Sequence, residues 1–133
     1  MSKEQLKEKY ENYNKALEKL KNALERDESD ELVLDAVIQR FEFTYELSWK
    51  LMKLYLSYSG IAGVRTPRAA FKEAFAAGMI KEGDVWIDML DDRNLTSHTY
   101  DESEARNIYS KIKTKYVVAF DDLRENMSGV IEG

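Results

Sequence analysis

Pro67 is the only proline in 133 residues, and on both sides of it the apolar residues recur at steps of three and four. That spacing gathers them on one face of an α-helix, and so few helix breakers leave the helices long. From Leu6 the stripe runs Leu6, Tyr10, Tyr13, Leu17, Leu20 and Leu24, with Lys and Glu on the opposite face. Asp27-Glu28-Ser29-Asp30 supplies N-cap residues for a second helix, expected from Glu31 to Ser59 and ended by Gly60 and Gly63. In this second helix Asp35, Gln39, Glu42, Glu46, Lys50 and Lys53 form only a narrow polar strip, and most of the rest is apolar. A helix that is apolar around most of its circumference needs cover on more than one side. It is either the central helix of a bundle or meets another chain along part of its length.

Thr66-Pro67 is a cap followed by proline at the first helical position, which starts a short helix through Phe71 and Phe75 that stops at Gly78. A fourth helix begins near Gly83-Asp84, carries Trp86, Met89 and Leu90 on one side, and runs out between Asn94 and Tyr100 among weak helix formers. Asp101-x-x-Glu104 resembles a capping box and opens the last helix, whose stripe is Ala105, Ile108, Ile112, Tyr116, Ala119, Phe120 and Leu123. No Val/Ile/Thr alternation marks a strand, and no internal repeat or linker is visible. The expected fold is therefore all-α: an antiparallel up-and-down four-helix bundle with one additional short helix, in a single domain spanning residues 1–133. Trp49, Tyr45, Phe41, Phe71 and Phe75 are expected in the core or at a dimer contact.

Composition narrows the chemistry. There is no cysteine, and His98 is the only histidine, so disulfide scaffolds, thiol nucleophiles and multi-ligand Cys/His zinc sites are excluded. No metal or cofactor is expected. Asp88, Asp91 and Asp92 are read as a solvated helix face in preference to a Mg²⁺ site. The net charge of −5 argues against nucleic-acid binding through a bulk positive field but allows a local basic patch. Arg106, Lys111, Lys113 and Lys115 on the last helix are expected to be a solvated face rather than an RNA track. With 44% hydrophobic and 34% charged residues, no run of about 18 apolar residues and no apolar segment in the first five residues, a cytoplasmic location is expected, with no membrane partner.

The informative segment is Asp91-Asp92-Arg93-Asn94-Leu95-Thr96-Ser97-His98-Thr99-Tyr100, which concentrates a guanidinium, the only imidazole, three aliphatic hydroxyls and a phenol at a helix end. Arg93 follows Trp86 by seven and Leu90 by three, so it falls on the apolar stripe, where an arginine is costly unless a carboxylate or another anion meets it. On a straight helix Arg93 and His98 lie about 140° apart. They converge only if the helix breaks near Thr96 or a symmetry mate supplies the second set of groups. The alternative is that Arg93 pairs with Asp91 or Asp92 and His98 simply packs at a bundle end.

Arg93-x-x-x-x-His98-x-Tyr100 resembles the R-x4-H-x-Y signature of HepT-like proteins in the HEPN superfamily. Phe41-Glu42-Phe43-Thr44-Tyr45-Glu46-Leu47-Ser48-Trp49-Lys50, Thr66-Pro67-Arg68, Phe71 to Phe75, and Trp86 to Tyr100 resemble, more narrowly, the nucleotidyltransferase substrate-binding proteins encoded beside minimal nucleotidyltransferases. The resemblance implies a homodimeric bundle, similar to the C-terminal domain of kanamycin nucleotidyltransferase, that binds a separate catalytic nucleotidyltransferase. It implies that Arg93, Asn94, Ser97, His98 and Tyr100 line a cleft for a nucleotide or RNA. In HEPN ribonucleases the Arg and His of two protomers cleave RNA without a metal, which would make His98 the general base on a ribose 2′-hydroxyl and Arg93 the group stabilising the transition state. In HepT-type toxin–antitoxin pairs the tyrosine matching Tyr100 is adenylylated by the partner. The two functions left open are a substrate-binding partner subunit and a ribonuclease toxin neutralised by that partner.

Overall fold

A computed structural model describes residues 3–96 and 101–131. Helix α1 spans Lys3–Leu24, α2 Glu31–Tyr58, α3 Pro67–Ala76, α4 Gly83–Thr96, α5 Glu102–Lys111 and α6 Val117–Ile131, with a π turn at Ile112–Tyr116 joining the last two into one rod. The long elements α1, α2, α4 and the α5–α6 rod run alternately up and down, and α3 is the short extra helix. The expected all-α architecture holds, and among the described residues there is no strand.

Local chemistry sets the boundaries. Asp30 accepts from the Leu32 N–H at 2.9 Å, Thr66 from Ala69 N–H at 3.1 Å with Pro67 in the first turn, and Asp101 from Glu104 N–H at 2.7 Å. Each side chain thus satisfies a donor that the helix start leaves unpaired. Gly60 and Gly78 follow α2 and α3 with φ of +95° and +77°, a region that side-chain-bearing residues avoid, so the chain turns there.

The rod interrupts its α-geometry for a reason visible in its stripe. Ile108, Ile112, Tyr116 and Phe120 follow one another by fours, and on an α-helix three such steps swing the stripe by about 120°. At the π turn the Val117 N–H donates to the Ile112 carbonyl, five residues back, which takes up this drift and leaves all four residues buried.

The core is a chain of aromatic contacts. Phe41 stacks on Tyr116 with ring centroids 5.4 Å apart, Tyr45 meets Phe71 edge-on at 5.9 Å, Phe71 packs on Trp86 at 5.2 Å, and Trp86 reaches Phe120 at 5.6 Å. Together they lock α2, α3, α4 and the rod around one interior. Helix α1 is tied on by its tyrosines: Tyr13 donates to the Phe120 carbonyl at 2.7 Å and Tyr10 to that of Arg124 at 2.9 Å. Phe41, Tyr45 and Phe71 are therefore core residues and Trp49 is half-buried, but Phe75 is 55% exposed and lies outside the core. No helix among the described residues is long and apolar enough to cross a membrane.

Candidate functional site

The bundle core directs Trp86 and Met89 of α4 inward, and the same stripe carries Arg93 against α2. There the narrow polar strip of α2 meets it. Arg93 Nη1 lies 3.1 Å from Glu42 Oε2, and its Nε lies 3.9 Å from Oε1 of Glu46, one turn further along α2. Thr96 closes the arrangement by donating its hydroxyl to the same Glu42 oxygen at 3.0 Å. Glu46 is in turn held by the Trp49 indole N–H at 3.1 Å. With only 26% of its side chain exposed, Arg93 needs such a counter-charge, because a desolvated guanidinium without one is strongly unfavourable. Its partners are thus Glu42 and Glu46, not the neighbouring Asp91 or Asp92.

Asp92 corrects the reading of the three aspartates as a solvated face. Asp92 is 8% exposed, accepts a short hydrogen bond from the Tyr116 hydroxyl, and lies 3.4 Å from Lys111 Nζ. The π turn delivers Tyr116 to this position. Burial, reinforced by Asp92, holds the Tyr116 phenol well above the ordinary tyrosine pKa. Asp88 pairs with Lys115 at 3.4 Å, and Asp91 is exposed. The other basic residues of the rod's first half are neutralised in the same way: Lys113 pairs with Glu28 at 3.6 Å and Arg106 with Glu102 at 3.6 Å. Compensated cations attract a phosphate chain only weakly, which is more specific than a merely solvated face.

Behind Arg93 lies Tyr45, whose hydroxyl is buried and, like Arg93 Nε, makes no hydrogen bond among the described residues. Burial raises the Tyr45 pKa, and Glu46 raises it further against the opposing fields of Arg93 and Arg68. The cluster therefore holds two carboxylates, a guanidinium with unused donors and a neutral phenol. Its two carboxylates outweigh the one guanidinium, so an anion engages Arg93 only by displacing Glu42 or Glu46. Among the described residues no group of three or more His, Cys, Asp or Glu has a metal-binding arrangement.

Of the residues singled out by sequence, Arg93 sits in this cluster and Asn94 is exposed beside it on α4. Ser97, His98 and Tyr100 lie outside the described residues. Glu42, Glu46, Asp92 and Tyr116 were missed as site residues. For Glu42 and Glu46 the signal was available, since two carboxylates four apart on an otherwise apolar helix need a reason to be there.

The chain matches the family described as nucleotidyltransferase substrate binding protein like over residues 8–129. It belongs to that family. A curated relative, the probable ribonuclease HepT of Haemophilus influenzae, is 40% identical over 87 residues, which are 62% of this chain and 59% of that protein. The match thus spans less than two thirds of the relative's length. A solved structure from Thermus thermophilus is 31% identical with a TM-score of 0.75, covering 91% of this chain and 99% of that one. A Haemophilus influenzae structure, described as the fold of a substrate binding domain of a nucleotidyltransferase, is 26% identical with a TM-score of 0.69 over 99% of this chain and 100% of that one. A chain of the toxin–antitoxin complex MntA–HepT shares the fold alone, at 13% identity and a TM-score of 0.78 over 93% of this chain and 97% of that one.

Proposed function

We propose that residues 1–133 form a single domain that acts as the substrate-binding partner subunit of a two-component minimal nucleotidyltransferase, in the cytoplasm and as a homodimer. The observation that carries this reading is the Arg93 cluster: a largely buried guanidinium held by Glu42 at the seam of α2 and α4, which an incoming anion engages by displacing that carboxylate. Exposed apolar residues stand next to the cluster in sequence. Phe43 adjoins Glu42 and is 58% exposed, while Leu95 adjoins Thr96 and is 40% exposed. A second copy meeting the first along this edge covers both and joins two Arg93 clusters into one cleft. Arg93, Asn94, Ser97, His98 and Tyr100 line that cleft in this proposal, and the ligand is a nucleotide or RNA.

The curated ribonuclease relative and the intact Arg93/His98/Tyr100 spacing favour a second reading, a metal-independent ribonuclease toxin. In it His98 takes the proton from a ribose 2′-hydroxyl, the oxygen attacks the adjoining phosphorus, the P–O5′ bond breaks to leave a 2′,3′-cyclic phosphate and a 5′-oxygen that takes up a proton from water, and Arg93 stabilises the charge that builds on the phosphate oxygens. Adenylylation of Tyr100 by the nucleotidyltransferase then blocks the cleft with a bulky anion. Incubating the wild type, Arg93→Ala and His98→Ala with mixed RNA in EDTA separates the readings. Cleavage by the wild type alone establishes the ribonuclease, and no cleavage by any leaves the substrate-binding subunit. Intact mass after incubation with the nucleotidyltransferase and ATP reports the modification. A gain of an adenylyl group that Tyr100→Phe abolishes assigns it.

A further inference from the structure

At the other end of α4, ten residues and therefore about 15 Å along the axis from Arg93, α3 and the start of α4 line an open cavity of about 560 Å³. This is within the range of small-molecule sites. Its lining is not that of a core defect. The Phe75 ring is 55% exposed, and a Cβ built on Gly83 would come within 3.3 Å of it, so the ring lies directly on backbone that carries no side chain. One face is thereby supported and the other is left to the cavity. Arg68 and Lys72 project from α3 into the same space, and neither forms an ion pair among the described residues, in contrast to Arg106, Lys111, Lys113 and Lys115 of the rod. Glu82 and Asp84 line the same cavity, as does Lys81, whose ammonium pairs with Asp122 at 3.3 Å.

We infer that this cavity binds a nucleotide unit, with its base stacked on Phe75, its phosphate on Arg68 and Lys72, and its ribose hydroxyls donating to Glu82 or Asp84. Each part of the lining has a counterpart in that ligand. A bare phosphate leaves the aromatic face and both carboxylates unused, and an acidic peptide is repelled by the carboxylates. An open aromatic ring beside uncompensated cations is the arrangement by which proteins hold single nucleotides without reading the base. The site uses neither Arg93 nor His98, so it stands independently of the cleft proposed above.

The unit has two possible sources, a free mononucleotide or the end of a single-stranded RNA. Calorimetric titration of the full chain with AMP, with a 5′-phosphorylated tetra-adenylate, and with inorganic phosphate distinguishes them. Binding of AMP assigns the free nucleotide, and binding of the tetranucleotide alone assigns RNA. Phe75→Ala and Lys72→Glu, both at exposed positions, weaken binding at this cavity by about tenfold, while Lys7→Glu on the exposed face of α1 leaves it unchanged. Circular dichroism confirms that each variant is folded. The inference is overturned if neither nucleotide binds at millimolar concentration, if inorganic phosphate binds as well as AMP, or if Phe75→Ala binds like the wild type.

Discussion

Two arginines on neighbouring helices meet opposite environments. Arg93, near the C-terminal end of α4, is largely buried and fixed by Glu42, with Glu46 close by. Arg68, beside the N-terminal end of α4, is exposed, lines a cavity and has no ion-pair partner among the described residues. The difference lies in what each must overcome. A desolvated guanidinium is tolerated only with a counter-charge, so at the closed end the charges are part of the folded structure. An exposed cation needs no partner, and its charge remains available to a ligand. Substitutions at the closed end should therefore act on stability as well as on binding, and those at the open end should act on binding alone.

The largest expected effect is at Asp92. Asp92→Ala leaves the Tyr116 hydroxyl buried without an acceptor and Lys111 without its pair, and should cost about 2–3 kcal/mol in chemical denaturation. The adjacent and exposed Asp91→Ala should stay within about 0.5 kcal/mol. Equal losses at the two positions would dissolve the contrast between a structural and a solvated carboxylate.

A pH titration sharpens the same end. Tyr45 and Tyr116 have pKa values raised by burial, so above about pH 10 the unfolded chain releases phenolic protons that the folded chain retains. Stability from these groups is fully present below pH 10 and falls as the pH rises above it. Tyr116→Phe should remove about 1.4 kcal/mol of the stability lost between pH 9 and about 11, a slope shallower by about 0.7 kcal/mol per pH unit, read from denaturation midpoints.

Next comes Glu42→Gln, which keeps the shape but removes the charge facing Arg93. It should cost about 1 kcal/mol, and the freed guanidinium should bind inorganic phosphate more tightly than the wild type does. Smallest are Lys72→Ala and Phe75→Ala at the open end, each expected within about 0.5 kcal/mol in stability. A loss above about 1.5 kcal/mol for either would mean that the cavity wall is part of the core.

The contrast between the two ends also marks how far the sequence could be read. Helix starts were legible because Asp30, Thr66 and Asp101 act on residues two or three positions away. The position of Arg93 on an apolar stripe was legible too, along with its need for an anion. Which carboxylate answers was not, because Glu42 lies on another helix and only packing brings it close, so the nearby Asp91 and Asp92 were the natural candidates. The burial of Asp92 was hidden for a related reason. It depends on the π turn that carries Tyr116 toward it, and the by-fours spacing of Ile108, Ile112, Tyr116 and Phe120 was the local trace of that turn. Phe75 looked like a core residue because its spacing from Phe71 is helical, but a ten-residue helix offers the core only one face, and Ala70, Phe71 and Ala74 occupy it.

The most direct test of the central claim is the mass of the assembly. The chain is purified alone and then with the minimal nucleotidyltransferase proposed as its partner, and each sample is measured by light scattering during gel filtration at micromolar concentration. The account predicts twice the chain mass for the chain alone and a heavier, stable complex with the nucleotidyltransferase that retains two copies of the chain. A chain that runs as a monomer and forms no complex with that enzyme would contradict it.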